Sequence, residues 1–244
     1  MLNPALAHIK VISFDLDDTL WDGTAVLIHA EKTMTSWMAK HTPKIFQQLS
    51  SDQLRQRKIN FIKNNPHLRY QVSQARVQFL ANLFTEFDYS NAKELANECF
   101  DVFYVARQQV TLFDDVIKVL SELKKHYKLI AITNGNANIG AVGLDDYFDF
   151  CLNAESFELP KPHSEIFDTA LLQAGVSSEQ CLHVGDHPVH DMQGANEVGM
   201  LTCWLEDGRH DWQLPFRADL TIRHIREILP LMGYSDTPVY IKPD

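Results

Sequence analysis

Apolar positions along this chain fall into two textures. Residues 10–15, 128–133, 181–185, 200–205 and 218–222 are short, β-branched and apolar, the pattern of strands buried on both faces of a parallel sheet. Between the later runs the pattern turns helical. Val116, Val119, Leu120 and Leu123 share one face, with Asp114 or Asp115 as a candidate cap. Ile166, Ala170 and Leu171 share another, with Pro162 suited to a first turn and Gly175 to the stop. Strand–helix alternation of this kind predicts an α/β fold with a doubly wound parallel sheet, whose ligands sit beyond the carboxyl ends of the strands.

From about residue 22 to 110 the strand texture is missing. Leu27, Ala30, Met34 and Trp37 recur at helical spacing, as do Val72, Ala75, Phe79 and Leu83. Ala92, Leu95, Cys99, Phe103 and Ala106 make a third stripe, with Asn91 and Glu94 placed for a capping box. A weaker helix spans about 51–62 and ends before Asn64-Asn65-Pro66. The expected organisation is a sheet-bearing core, residues 1–21 and 111–235, interrupted by an all-helical module at 22–110. The tail, 236–244, has two prolines and no period and is expected to be peripheral.

Composition narrows the function classes. A chain of 244 residues with 45% hydrophobic and 22% charged positions reads as globular. A net charge of −10 argues against a nucleic-acid or anionic-membrane surface, and an anionic substrate then needs local compensation by a cation or a few basic groups. Cys99, Cys151, Cys181 and Cys203 lie far apart, which argues against a zinc knuckle and for reduced thiols. Lys10 and Asp15 interrupt the first apolar stretch and no run approaches a membrane span, so a cytoplasmic location without membrane partners is expected.

Four short stretches carry chemistry. Val11-Ile12-Ser13-Phe14 ends in Asp15-Leu16-Asp17-Asp18-Thr19, and alternation sends Asp15 and Asp17 to one side. One carboxylate can attack an electrophile or hold a hard cation while the other moves a proton; an Asp-rich turn capping the next helix is the plainer alternative. Thr133-Asn134-Gly135 closes a second strand with donors suited to a phosphoryl oxygen, or with an ordinary turn. Lys161-Pro162 offers a point charge for phosphate or for the attacking carboxylate, or a solvated lysine. Gly185-Asp186 closes another strand, with Asp191 five positions on, supplying the hard oxygens Mg²⁺ prefers.

In this order the four stretches resemble the motifs of the haloacid dehalogenase superfamily. The resemblance implies a Rossmann-like core with a C1-type helical cap. It implies Asp15 as the nucleophile that forms an aspartyl-phosphate, Asp17 as the acid/base, and Thr133, Asn134 and Lys161 around the phosphoryl group. It implies Mg²⁺ held by Asp15, the carbonyl of Asp17 and Asp186, with Asp191 as ligand or orienter. An acid at position 17 favours a phosphatase, because an alkoxide needs a proton on leaving and a halide does not. The alternatives are a 2-haloacid dehalogenase and a silent binding module. Lys32, Lys40 and Lys58 are placed in the cap region, where solvated helix faces account for them.

The finer likeness is to bacterial phosphatases of flavin mononucleotide and related metabolites, carried by Phe14–Asp22, Ala131–Ala137, Leu182–Asp186, Met200 and Cys203-Trp204. It implies a small phosphorylated metabolite as substrate. It also makes Trp21, and less so Trp37, candidates to stack on an isoalloxazine ring. His187 departs from the usual small polar residue after Gly-Asp. With His183 and His190 near, a Zn²⁺ or Mn²⁺ site is an alternative, although alternation separates His183 from Asp186.

Overall fold

A computed structural model describes residues 6–234, so the expectation for the tail lies outside the described residues. Six strands form one sheet: β1 (Val11–Phe14), β2 (Lys128–Thr133), β3 (Phe150–Asn153), β4 (Cys181–Gly185), β5 (Leu201–Leu205) and β6 (Leu220–Ile222). Their order is β3-β2-β1-β4-β5-β6 and every neighbouring pair is parallel. The fold is therefore the α/β parallel sheet that the alternation predicted. The order reverses direction beside β1, so β1 and β4 diverge into their following segments and leave a crevice at their carboxyl ends.

The apolar runs follow from burial on two sides. On β2, Leu129 and Ala131 enter one core cluster with Phe14, Val119 and Leu182, while Ile130 and Ile132 enter another with Ile166, Phe167 and Ala170. Alternate residues thus meet different helices, and neither parity has to be polar. Strand β3 escaped the sequence reading: it is a four-residue edge strand, half-buried at every position, marked only by the short run Phe150-Cys151-Leu152.

Helices α1 (Gly23–His41), α2 (Pro43–Gln48), α3 (Ser51–Asn64), α4 (Val72–Glu86) and α5 (Ala92–Arg107) follow β1 as a block. They close a core of their own, with Ala30, Met34 and Met38 facing Phe79, Leu83, Cys99 and Phe103. The buried face of α1 runs through Val26, Ala30, Met34 and Met38, keeping the middle of the expected stripe and differing at its ends, where Leu27 is left 43% exposed. Val72 is likewise exposed, at the first position of α4, and Trp37 is only partly buried against the block's core.

Helices α6 (Val116–Leu123) and α7 (Ser164–Ala174) cover the sheet. Gly175 ends α7 in the left-handed conformation expected of it. Three expected starts differ. Asp115, itself left-handed at φ 66, makes no side-chain cap to α6, Asn91 makes none to α5, and Pro162 precedes α7 instead of entering its first turn. Closed capping boxes are made instead by Ser50 with Gln53 at the start of α3 and by Ser177 with Gln180 ahead of β4. Among the described residues no helix is long and apolar enough to cross a membrane.

Chain enters and leaves the helical block at one place. Trp21 is bridged to Leu112 in antiparallel fashion, and the Phe113 N–H donates to the Leu20 carbonyl at 2.9 Å.

Candidate active site

The four stretches meet in one cavity of about 170 Å³ at the carboxyl ends of β1, β2 and β4. Asp15, Asp17, Thr133, Asn134, Lys161, Asp186 and Asp191 all line it, joined by His187, His190 and His210. Asp15 is the residue after β1, and its N–H donates to the Val184 carbonyl at 2.9 Å, so the sheet itself fixes the carboxylate. Asp186 follows β4 by one residue, and its carbonyl accepts from the buried Trp204 indole at 2.7 Å.

Lys161 sits at the centre, nearly inaccessible. Its Nζ donates to Asp15 Oδ1 at 2.6 Å, Asp191 Oδ1 at 2.5 Å and the Ile132 carbonyl at 2.7 Å. The solvated-lysine alternative is excluded by this burial. Burial works against the ammonium, but the charges of Asp15 and Asp191 outweigh it and hold its pKa above the ordinary lysine range. Asn134 spends its side chain on this segment, accepting from the Lys161 N–H at 2.9 Å and donating to the Lys161 carbonyl at 3.0 Å. The amide thus orients the lysine while lining the cavity. Thr133 Oγ1 accepts from the Gly135 N–H at 3.0 Å, which tightens the turn after β2.

One ligand oxygen from each of Asp15, Asp186 and Asp191 lies within 4.8 Å of the others, all three buried. Burial pushes the Asp15 carboxyl up to about 7, opposed by Lys161 and assisted by Asp191. Asp186 is pushed up to about 8 by burial, then by Asp15, Asp191 and Asp18. Burial also opposes the charge of Asp191, but Lys161 and His183 overcome it and hold that carboxyl below the usual range. Among the described residues, Asp15 Oδ2 and Asp186 Oδ1 share the single proton of the Thr19 hydroxyl, which lies a long 3.3 Å from each. Two desolvated carboxylates with weakly satisfied oxygens form a hard donor set that suits a divalent cation such as Mg²⁺.

Asp191 is already committed. Its Oδ1 takes Lys161 and His183 Nε2, at 3.2 Å, and its Oδ2 takes the His187 N–H at 3.0 Å. A carboxylate only accepts, so His183 Nε2 carries the proton and Nδ1 accepts the Ser13 hydroxyl at 2.7 Å. His183 is thus a buried orienter, held neutral by desolvation. Gly185 has to be glycine here, because a Cβ would strike the Asp191 carboxylate.

Asp17 is placed differently from its neighbours. Its Oδ1 accepts from Trp21 Nε1 at 2.8 Å and its Oδ2 from Arg107 Nη2 at 2.5 Å. The side chain therefore stands apart from the three-carboxylate cluster. Trp21 is fully buried, which removes it as a stacking surface for a ring. Sequence reading missed both of these donors, and also His210, whose Nε2 lies 3.5 Å from Asp186 Oδ2. His187 stacks on His190 with centroids 3.9 Å apart and faces His210 at 4.3 Å. His187 Nδ1 accepts the Val189 and His190 N–H groups at 3.1 Å each, and burial lowers its pKa to about 4. The imidazoles form one wall of the cavity; among the described residues, the three-residue group with ligand atoms close enough for one ion is the aspartate set.

A second cavity of about 300 Å³ shares Asn134, Lys161 and His190 with the first and extends to Arg69, Tyr70 and Val72 of the helical block and to His163. Beside it, the Ser73 N–H and hydroxyl donate to Glu155 at 2.5 and 2.9 Å, and Asn136 donates to Ser73 Oγ at 3.1 Å. These bonds fasten the start of α4 to the sheet's edge.

Comparison with known proteins agrees with this geometry. A family model described as haloacid dehalogenase-like hydrolase matches residues 9–199. The chain is 30% identical over 235 residues to the Escherichia coli 5-amino-6-(5-phospho-D-ribitylamino)uracil phosphatase YigB, covering 93% of this chain and 98% of that one. It is 27% identical to the Pyrococcus furiosus glyceraldehyde 3-phosphate phosphatase, over 93% and 94% of the two chains. Among solved structures, a protein described as 2-haloacid dehalogenase from Pseudomonas syringae superposes with a TM-score of 0.86 at 33% identity, covering 92% of this chain and 98% of that one.

Proposed function

This chain belongs to the haloacid dehalogenase-like hydrolases and is a phosphoric monoester hydrolase of that superfamily, and we propose that it works by covalent relay through Asp15. The observation that carries this reading is the buried Asp15 carboxylate at a strand end, with an ammonium at 2.6 Å and two further carboxylates about it.

The chemistry divides into two displacements. An Asp15 oxygen attacks phosphorus, the ester P–O bond breaks, and the leaving oxygen takes that electron pair together with a proton from the Asp17 carboxyl. Water then attacks the same phosphorus. Asp17 takes its proton, the P–O bond to Asp15 breaks, and the carboxylate is restored with inorganic phosphate released. Lys161 and the Thr133–Gly135 turn neutralise and orient the phosphoryl oxygens, which is most of what this transfer requires of a protein. Asp15 and Asp186 would hold Mg²⁺, with Asp191 orienting Lys161 beside them. Bound there, the ion would supply neutralisation of the negative charge that meets at phosphorus.

The proposed substrate is a small phosphorylated metabolite, FMN or a related phosphate monoester. One relative matched over nearly the whole chain, the Escherichia coli phosphatase, is named for a ribityl phosphate carrying a pyrimidine. The second cavity supplies room and an aromatic edge at Tyr70 for such a leaving group. The helical block acts as the cap that excludes water from the site.

The high TM-score to a protein described as a haloacid dehalogenase keeps one alternative in view, halide displacement by the same Asp15. A panel of FMN, ribityl and sugar phosphates and 2-chloropropionate, with and without Mg²⁺, separates the two. Phosphate release that needs Mg²⁺, with a hydroxylamine-sensitive phosphoenzyme absent from Asp15→Asn, is expected. Halide release without phosphate release would overturn the proposal.

A further inference from the structure

Arg107 is the last residue of α5 and one of the largest fully buried side chains in the protein. Its guanidinium makes one ion pair, Nη2 to Asp17 Oδ2 at 2.5 Å, and among the described residues its Nε and Nη1 have no hydrogen-bond partner. Most buried arginines have their donors satisfied by carbonyls or carboxylates of the fold. This one spends its single bond on a carboxylate of the reaction centre and leaves two donors unpaired, an arrangement that fold stability does not account for.

The other oxygen of Asp17 is held by Trp21, so each oxygen has one donor. The two donors come from opposite ends of the helical block: Trp21 lies just before α1 and Arg107 closes α5. Trp21 is in turn bridged to Leu112, five residues beyond Arg107. The guanidinium also lies against the turn that carries Thr133. A Cβ on Gly135 would stand 2.5 Å from Asp17 Oδ2, 3.1 Å from Arg107 Nη2 and 3.5 Å from Thr133 Oγ1.

We infer that Arg107 is a positioning residue for Asp17: with Trp21 it fixes the direction of that carboxyl group, and it ties the direction to the place of α5. The inference rests on Asp17 being the proton donor of the proposed reaction. Paired donors on both oxygens define one carboxyl orientation, where a single donor leaves the group free to rotate. Proton transfer depends on that orientation, because the donor has to lie within hydrogen-bond reach of the leaving oxygen.

The test compares kcat/KM for an alkyl phosphate and for p-nitrophenyl phosphate, whose phenolate leaves with little help from an acid. Asp17→Asn is expected to lower the alkyl value far more than the aryl value. Arg107→Met is expected to show the same signature, with an alkyl loss of roughly 10–100-fold and an aryl loss under about 3-fold, a part of the roughly 10²–10⁴-fold that general acid catalysis supplies. Arg107→Lys, which keeps a cationic donor, is expected to recover most of the alkyl rate. In an Asp17→Asn background Arg107→Met is expected to change neither value by more than about 3-fold, because a residue acting through Asp17 has nothing left to act on.

Equal losses on both substrates, a further loss in the Asp17→Asn background, or no loss at all would overturn the inference while leaving the proposed function standing. Failure of Asp17→Asn itself to discriminate the leaving groups would overturn both. If Arg107→Met does not fold, Trp21→Phe removes the other donor and has to show the same substrate bias for the inference to stand.

Discussion

Lys161 Nζ and Asp191 Oδ1 lie 2.5 Å apart, thirty positions distant in sequence and both almost wholly buried. The pair turns the ammonium towards Asp15, 2.6 Å away, so one cation serves the nucleophile and its orienter together. Removing it with Lys161→Met leaves three buried carboxylates without a protein counter-charge. The expected cost is about 3–5 kcal/mol of stability, read as a shift of the urea midpoint, with loss of turnover. Added Mg²⁺ should return part of the stability and none of the rate. An unchanged midpoint in metal-free buffer would contradict this role.

Stability should also depend on pH in a defined window. Asp15 and Asp186 have folded-state values of about 7 and 8, above the ordinary 3.8, so the folded protein binds more protons than the unfolded chain between those limits. Their contribution is complete below pH 3.8 and is lost as pH rises through 7 to 8. His183, His187 and His190 act in the opposite sense, since burial lowers them from 6.5, but their effect ends once the unfolded imidazoles are neutral. That opposition fades through pH 7 and is nearly gone by about pH 7.5, leaving the carboxylates. Thermal melts of the metal-free protein should therefore fall between pH 6.5 and 8. Mg²⁺ should raise the melting temperature more at pH 8 than at pH 6, where protons compete for the same oxygens.

Gly135→Ala separates the site from the fold. The new Cβ meets Asp17 Oδ2 at 2.5 Å, a side-chain end held by hydrogen bonds alone, so the carboxylate yields instead of the backbone. The expected result is a fall in kcat of about 10-fold or more with a melting temperature close to the parent's. A large drop in melting temperature at full activity would show that Asp17 does not move.

Trp21→Phe tests the same carboxylate from its other oxygen. The indole N–H is replaced inside a fully buried position, so the ring packing largely survives while the 2.8 Å donation is lost. A stability cost of about 1–2 kcal/mol by denaturant titration is expected, the usual range for one buried hydrogen bond and a smaller ring.

The sheet and its acids were legible because buried parallel strands leave long apolar marks and their ends carry the polar residues. Asp15, Thr133 and Asp186 stand where such runs stop, and that position alone brought them to one cavity. Lys161 needed its family context, since a lysine before a proline has no local signature of burial. Arg107 was hidden by its own helix: a basic residue in the last turn reads as a favourable end charge, and nothing within ninety positions points to Asp17. Trp21 was misread for a related reason. An aromatic ring beside an acidic turn suggests ligand stacking, while the structure uses its N–H and buries the ring. Strand β3 was missed because a half-buried edge strand needs only a short apolar run, and Phe150-Cys151-Leu152 is too brief to stand out.

The bridge between Trp21 and Leu112 means that a ninety-residue detour begins and ends at neighbouring points of the sheet. To the strands on either side, that detour is equivalent to a short loop, whatever its contents. Helices of another length or composition can be accommodated there without altering strand order or the reach of Asp15. What the block accepts can therefore change without moving the strands, so long as the residues at its two ends, Trp21 and Arg107, go on holding Asp17.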